Sequence, residues 1–354
     1  MSDLFRRVLV VRYGRIGDML VVTPALRAIK RAHPDARIDV LTSRDGLAVL
    51  AENPCVDAVH RLEWRRVPRL LNPPRAAVLR RLRAKGFDTI FLFEGGEHHR
   101  ALVRDLHVPR VFTFVRPGQE ADAFHARRQR HHELFNFFAV LALASVQPDG
   151  ENYDFTVGEP ARLEAARLLA GAGLDPLSKI AGLHAGHFRR KRITRQPHPK
   201  TWPIERWIET AKGLLDTGHS AVLLTGSRSE RTLNQRIARA LPPGRAVDLA
   251  GQTNLRTLAA VIERCRIFIA PDTGPAHLAA AVNTPLVALF GPKPPDIMGP
   301  RGDEARIARL FPLPSTASDK QQRRHHPRLW ATTPSDVLAA VNRVLDAPAS
   351  TGVT

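Results

Sequence analysis

Cysteine is nearly missing from this chain: two in 354 residues, Cys55 and Cys265, far apart and in no metal-ligand spacing. That count excludes a disulfide scaffold and a zinc module, and it fits a reducing compartment. Long apolar runs are also missing. No stretch approaches the roughly 18 residues that a membrane helix requires. The start, "MSDLFRRVLVV", reads as a first strand and not as a signal peptide. A cytoplasmic protein is therefore expected. Aromatics are thin, with two Tyr and four Trp, and neither a helix-turn-helix nor a base-stacking motif is present. Nucleic acid is not an expected partner on that ground, whatever the charge. The dinucleotide fingerprint G-x-G-x-x-G does not follow the first strand either. Gly14 and Gly17 have another spacing, and an acid, Asp18, comes next, which counts against an NAD-dependent oxidoreductase.

Lysine is scarce where arginine is not: eight Lys among 53 basic residues leave forty-five Arg, with a net charge of +19. Base composition of the genome can load solvated faces with Arg. The alternative is an anionic partner: a small molecule, a phosphorylated glycolipid or membrane surface, or nucleic acid. With 44% apolar and 25% charged residues, the chain has the make-up of a globular protein with about two domains.

Strands and helices alternate twice over. In the first half "RVLVVRYG", "RIDVLTS", "AVHRLEW", "DTIFLF" and "RVFTFV" read as strands, with helices expected over Asp18–His33, Gly46–Glu52, Pro74–Lys85 and His131–Leu143. That alternation predicts right-handed crossovers and a parallel sheet. Val146–Leu177 reads as the connection, after which "KIAGLHAG", "SAVLLTGS", "AVDLAG", "RIFIAPDTG" and "PLVALFGP" repeat the pattern. Gly218 is the expected C-cap of the helix "PIERWIETAKGLLDTG", and Ser335 the expected N-cap of the last helix. The region after Gly302, up to that helix, yields no assignment. The expected architecture is α/β, with two doubly wound halves facing a cleft.

Two stretches carry chemistry. In "VRYGRIGDMLVVTPALRAIK" a strand, a glycine turn and a helix follow one another, and Asp18 at the helix mouth is either a cap or a reacting group. In "IFIAPDTGPAHLAAAVNTPLVALFGP" a strand ends at a turn, Asp272-Thr273-Gly274, and Pro275 suits the first helical turn. Backbone N–H groups of Thr273, Gly274, Ala276 and His277, with the helix dipole behind them, would form a pyrophosphate site. The Thr273 hydroxyl would add a donor. Asp272 reads equally as an N-cap or a ligand contact. The glycine turn His184-Ala185-Gly186 points to the same carboxyl edge, where open α/β sheets bind ligands.

"GRIGDMLVVTPALRAIK", "HAG", "KTWPIERW" and "PDTGPAHLAAAVNTPLVALFG", in that order over most of the chain, resemble glycosyltransferase family 9, the heptosyltransferase group of the lipopolysaccharide inner core. The resemblance implies the GT-B arrangement of two Rossmann-like domains. The expected acceptor-binding domain is 1–160 and the nucleotide-sugar domain 161–333, with residues 334–354 forming a helix that packs back on the first domain. It also implies inverting transfer without metal or cofactor, with a nucleotide sugar, ADP-heptose in the usual case, as substrate. In this family the Asp after Gly is the general base, which falls on Asp18 here. Lys200 matches a lysine that contacts the donor phosphates; should the register of the preceding loop differ, that role passes to Lys191 or Arg192. Asp272 would accept from sugar hydroxyls, while Thr273, Gly274 and His277 shape the turn and Gly186 lines the donor site. Glu230 matches an acid that holds ribose hydroxyls, and Gln252 to Leu255 would line the base pocket. The basic loop "HFRRKRITRQPHP" is longer than the family's usual one. Arg65, Arg66, Arg80, Arg127 and His131 are the candidates for an anionic glycan or glycolipid acceptor, and the inner face of the cytoplasmic membrane is a candidate surface for a monomeric enzyme. The competing readings are a relative that binds nucleotide sugars without turnover, and a basic nucleic-acid-binding protein.

Overall fold

A computed structural model of the chain describes residues 5–62, 73–115, 124–127, 131–186, 200–291, 293–312 and 328–347. Continuous apolar runs decide the centre of each sheet, because a strand covered by helices on both faces cannot alternate with polar residues. In "RVLVV", which forms β1 (Arg7–Val11), every residue after Arg7 is buried. The chain divides between Thr156 and Val157 into two units.

In the first unit β1 is joined by β2 (Arg37–Thr42), β3 (Ala58–Arg61), β4 (Thr89–Leu92), β5 (Arg110–Val115) and β6 (Phe124–Arg127). All pairs are parallel, in the order β3-β2-β1-β4-β5-β6. The helices are α1 (Ile16–Leu20), α2 (Thr23–Ala32), α3 (Arg44–Leu50), α4 (Pro73–Ala84), α5 (Glu97–Arg104) and α6 (Glu133–Ala142). The second unit contains β7 (Ile180–Leu183), β8 (Ala221–Leu224), β9 (Ala246–Asp248), β10 (Cys265–Pro271), β11 (Leu286–Leu289) and β12 (Ile307–Leu310). Their order is β12-β11-β10-β7-β8-β9, again parallel throughout. Its helices are α7 (Glu159–Gly171), α8 (Ile204–Asp216), α9 (Arg231–Arg239), α10 (Leu255–Glu263), α11 (Gly274–Ala281), α12 (Pro295–Met298) and α13 (Pro334–Asp346). Renumbered from its own first strand, each sheet reads 3-2-1-4-5-6, the Rossmann order. The switch in winding direction falls between β1 and β4 in one unit and between β7 and β10 in the other.

Several expectations need correction. The helix expected over Asp18–His33 is two helices, because Pro24 cannot donate to Leu20 and its ring crowds that carbonyl. The Thr23 hydroxyl takes the Leu20 carbonyl instead, at 2.8 Å. The last helix is capped by Thr333, not by Ser335. The Thr333 hydroxyl accepts from Asp336 N at 3.2 Å, and the Asp336 carboxylate accepts from Thr333 N at 2.8 Å. α13 belongs to the second unit. Val337, Ala340, Val341 and Val344 join the core of the second unit, where α13 covers β11, β12 and α8. α5, β6 and β12 were not anticipated. Gly218 does close α8: its φ of +88° permits a Schellman turn, in which Gly218 N donates to Leu215 O and His219 N to Leu214 O. No helix among the described residues is long and apolar enough to cross a membrane.

Candidate active site

The carboxyl ends of β1 and β4 bring together residues 81 or more positions apart. Arg12, directly after β1, is buried at 7% exposure. Its Nη1 donates to Phe93 O at 3.0 Å and lies 3.3 Å from Glu94 Oε1 and 3.6 Å from Glu133 Oε1. Its Nη2 is 3.9 Å from Asp18 Oδ1, and the guanidinium sits over the Phe137 ring at 5.0 Å. One cation thus faces three carboxylates. Burial pushes the Glu94 carboxyl above its ordinary range, against the pull of Arg12 and the Tyr13 N–H, and the charges of Glu133 and Asp18 add to the rise. Tyr13 N donates to Glu94 Oε1 at 2.9 Å, and the Tyr13 ring stacks on His99 with centroids 5.0 Å apart.

Asp18 is the third residue of α1 and caps the helix from there. Its Oδ2 accepts from Arg15 N at 2.9 Å, a capping contact, which leaves Oδ1 facing Arg12. Gly14 makes this possible: a Cβ there would stand 2.3 Å from Asp18 Cβ. The loop is held from below by Ser43, whose hydroxyl donates to Gly14 O at 2.7 Å. Arg12, Glu94, Glu133, Tyr13 and His99 were missed by the sequence reading. The legible signal was "FLFEGG": a second strand ending in an acid and two glycines.

In the second unit the corresponding edge lies at the ends of β7 and β10. Lys200 Nζ donates to Asp272 O at 2.8 Å and forms an ion pair with the Asp272 carboxylate. The two residues are 72 positions apart, and their pairing sets a cation at the start of α11. Thr273, and not Asp272, is the N-cap of that helix, while Pro275 lies in its first turn, as expected. Two donors expected for a ligand are already used, however. Ala276 N donates to Thr273 O at 3.1 Å, and the Thr273 hydroxyl donates to Pro271 O at 3.0 Å. The N–H groups of Thr273 and Gly274 are those that a helix start does not itself use. His277 is buried in α11.

Glu230 and Gly186 meet closely. A Cβ at Gly186 would stand 2.0 Å from Glu230 Oε1, so only glycine lets that carboxylate lie over the end of β7. Glu230 Oε2 accepts from Ser227 N and from the Ser227 hydroxyl, both at 2.7 Å. Oε1 is buried and has no hydrogen-bond partner among the described residues, which leaves it open to a donor from water, an ion or a ligand. Beside it, His184 bonds Thr225 Oγ1 through Nδ1 at 3.1 Å, and burial depresses its pKa against the charge of Glu230. Gln252 Nε2 donates to Asp248 O at 2.8 Å, and Asn254 caps α10.

Lys200 is anchored from the end of the chain. Trp330 Nε1 donates to Thr201 O at 2.8 Å, and Trp202 Nε1 returns a bond to Thr332 O at 3.0 Å. Trp202 is buried and meets Trp207 edge-on with centroids 5.0 Å apart.

The acceptor candidates lie on different elements. Arg80 is exposed on α4, Arg127 is the last residue of β6, and His131 precedes α6 with its ring edge-on to Phe135 at 5.8 Å. Arg65, Arg66, and the basic loop with Lys191 and Arg192, lie outside the described residues. Among the described residues, no three His, Cys, Asp or Glu side chains are grouped to hold a metal.

The model for Glycosyltransferase family 9 (heptosyltransferase) matches residues 191–328. Lipopolysaccharide heptosyltransferase 3 of Escherichia coli is 25% identical over 343 residues, 95% of this chain and 97% of that protein. The crystal structure of a family 9 glycosyl transferase from Veillonella parvula DSM 2008 superposes with a TM-score of 0.83 at 22% identity, covering 98% of both chains. E. coli ADP-heptose lps heptosyltransferase II gives a TM-score of 0.73 at 22% identity, covering 96% of this chain and 98% of that one. These two share the fold.

Proposed function

Given that the chain is a heptosyltransferase-like enzyme of glycosyltransferase family 9, with two Rossmann-like domains of the GT-B type, we propose that it moves a heptose, with inversion, from ADP-heptose onto a lipopolysaccharide core acceptor. The relatives' own names support the choice of sugar and acceptor. The observation that carries the chemistry is exposure. Of the three carboxylates around Arg12, Glu94 and Glu133 have side chains 16% and 6% exposed, and Asp18 35%. Asp18 is the acid that an acceptor hydroxyl can reach.

The hydroxyl oxygen attacks the anomeric carbon as the bond to the diphosphate breaks, and Asp18 takes the hydroxyl proton on the face opposite the leaving group. Negative charge grows on the departing ADP. Lys200 and the N–H groups at the start of α11 meet that charge, while Asp272, loosened from Lys200, accepts from sugar hydroxyls. Glu230 Oε1 accepts from the ribose, its missing donor. Arg80, Arg127, His131 and the outlying Arg65 and Arg66 would receive the acidic groups of the acceptor, at the inner face of the membrane where its lipid lies. A single copy carries every role assigned here.

Purified protein incubated with ADP-heptose and heptose-deficient core lipopolysaccharide should release ADP, with the new linkage inverted by NMR. Asp18→Asn should lower kcat by about a hundredfold or more and leave ADP affinity unchanged by calorimetry. Wild-type turnover by that variant overturns the assignment of the base. Donor binding without transfer, by the wild type, makes the protein a nucleotide-sugar binder instead.

A further inference from the structure

The helix that carries Asp18, α1, has five residues. So short a helix is not stable by itself, and its direction is set by what holds its two ends. At the first end the Ser43 hydroxyl donates to Gly14 O at 2.7 Å, and the Asp18 carboxylate accepts from Arg15 N at 2.9 Å. At the second end stands the buried Thr23. Its hydroxyl donates to Leu20 O, the carbonyl that Pro24 cannot serve, and accepts from Asp154 N, each at 2.8 Å. We propose that Thr23 is a positioning residue for Asp18, and that the segment 149–154, clamped on Arg27, holds Thr23 to that task. The inference rests on the reading of Asp18 as the base.

The clamp is built on α2. Arg27 Nε donates to Asp149 Oδ1 at 3.0 Å, and Nη1 donates to Asn152 O at 3.1 Å and pairs with the Asp154 carboxylate. One turn on, Arg31 Nη1 lies 3.6 Å from Asp149 Oδ2. Gly150, at a φ of +130° that a side chain rarely adopts, lets the segment curl past Arg27. These contacts deliver the Asp154 N–H to Thr23 from 131 positions away. The segment is also the end of the first unit, since the second begins at Val157. Thr23 is therefore the point at which the last residues of that unit meet the helix bearing the base. Without the hydroxyl, Leu20 O and Asp154 N would be left unpaired, a state that buried backbone groups seldom keep. α1 would shift to find other partners. A misplacement of about 1 Å at a reacting group can cost roughly a hundredfold in rate.

The test is a double-mutant cycle with Asp18, because a residue that acts through the base loses its effect once the base is gone. Thr23→Val keeps the shape without the hydroxyl. It should lower kcat by about tenfold to a hundredfold, with the KM for ADP-heptose and the affinity for ADP within about twofold of wild type. In the Asp18→Asn background the same change should alter residual ADP release by less than about twofold. Thr23→Ser, which keeps the hydroxyl, should hold kcat within about threefold of wild type. Hydrogen exchange supplies a readout without turnover. The N–H groups of Met19 and Val21, which donate to Arg15 O and Gly17 O at 3.0 and 3.1 Å, should exchange faster in Thr23→Val by about tenfold, while β1 amides stay unchanged. An equal loss of kcat in both backgrounds, or exchange at α1 that does not move, overturns the inference even when Asp18→Asn is slow. Wild-type turnover by Asp18→Asn overturns the base assignment and the inference with it. Should Thr23→Val fail to fold, Arg27→Gln, which releases the segment and keeps the hydroxyl, decides by the same cycle: a several-fold loss of kcat that vanishes in Asp18→Asn supports the inference, and one that persists overturns it.

Discussion

His99 gives a sharp test of the packing around Glu94. It lies in the first turn of α5, 8% exposed, stacked on Tyr13, with Nδ1 3.8 Å from Glu94 Oε2. Burial, then the charges of His98 and Arg12, lower its pKa from 6.5 to about 4. The unfolded ring takes its proton near pH 6.5 and the folded ring only near 4, so the unfolded chain binds more protons in that window. Stability from this group is therefore complete above pH 6.5 and is lost as pH falls toward 4. The displacement of roughly 2.5 units, at about 1.36 kcal/mol each, amounts to about 3 kcal/mol at most. Between pH 7 and pH 5 the loss should be about 2 kcal/mol. Imidazole 13Cε1 signals followed by NMR give the midpoint directly, with His99→Gln identifying the resonance. Native-state hydrogen exchange of β1 and β4 amides gives the energy. The wild type should lose protection between pH 7 and 5 by that amount more than His99→Gln does. A midpoint at 6 or above, or equal losses in the two proteins, refutes the reasoning.

Two further outcomes concern the donor half. Gly186→Ala forces Glu230 off Ser227, breaking two charge-assisted hydrogen bonds worth roughly 1.5–3 kcal/mol each in comparable settings. ADP affinity by calorimetry should drop at least tenfold, and unchanged affinity would separate Glu230 from the nucleotide. Trp330→Phe keeps a ring but loses the N–H to Thr201 O. The KM for the sugar nucleotide should rise several-fold with kcat within about twofold, and an unmoved KM would show that the tie does not govern Lys200.

How much of this was legible beforehand depended on distance along the chain. Both parallel sheets could be read because buried strands such as "RVLVV" and "RIFIA" are apolar on both faces. Asp18, Gly186, Glu230 and the Asp272 turn could be read because each sits in a local strand–turn–helix pattern. What pairs across the sheet could not. Glu94 meets Tyr13 from 81 positions away and Lys200 meets Asp272 from 72, and no local pattern encodes a register between strands joined by a crossover. β12 was invisible for a related reason: "IARL" is short, follows a polar turn, and gains its burial only against β11 and α13. The break at Pro24 was legible in principle, since proline's missing donor is a local fact, yet the apolar spacing runs straight through it. That α13 contributes to the core of the second unit could not be read, because an amphipathic stripe shows that a face is covered and not what covers it.

The indole bonds between Trp202, Trp330, Thr201 and Thr332 have a consequence for anyone shortening this protein. A fragment ending before residue 328 would retain every residue assigned to the nucleotide, from Gly186 to His277, and still lack both the strap beside the lysine and the helix α13 that completes the core beneath it. Deletion mapping would then award the missing affinity to the discarded tail. The tail would be a clamp mistaken for a binding surface.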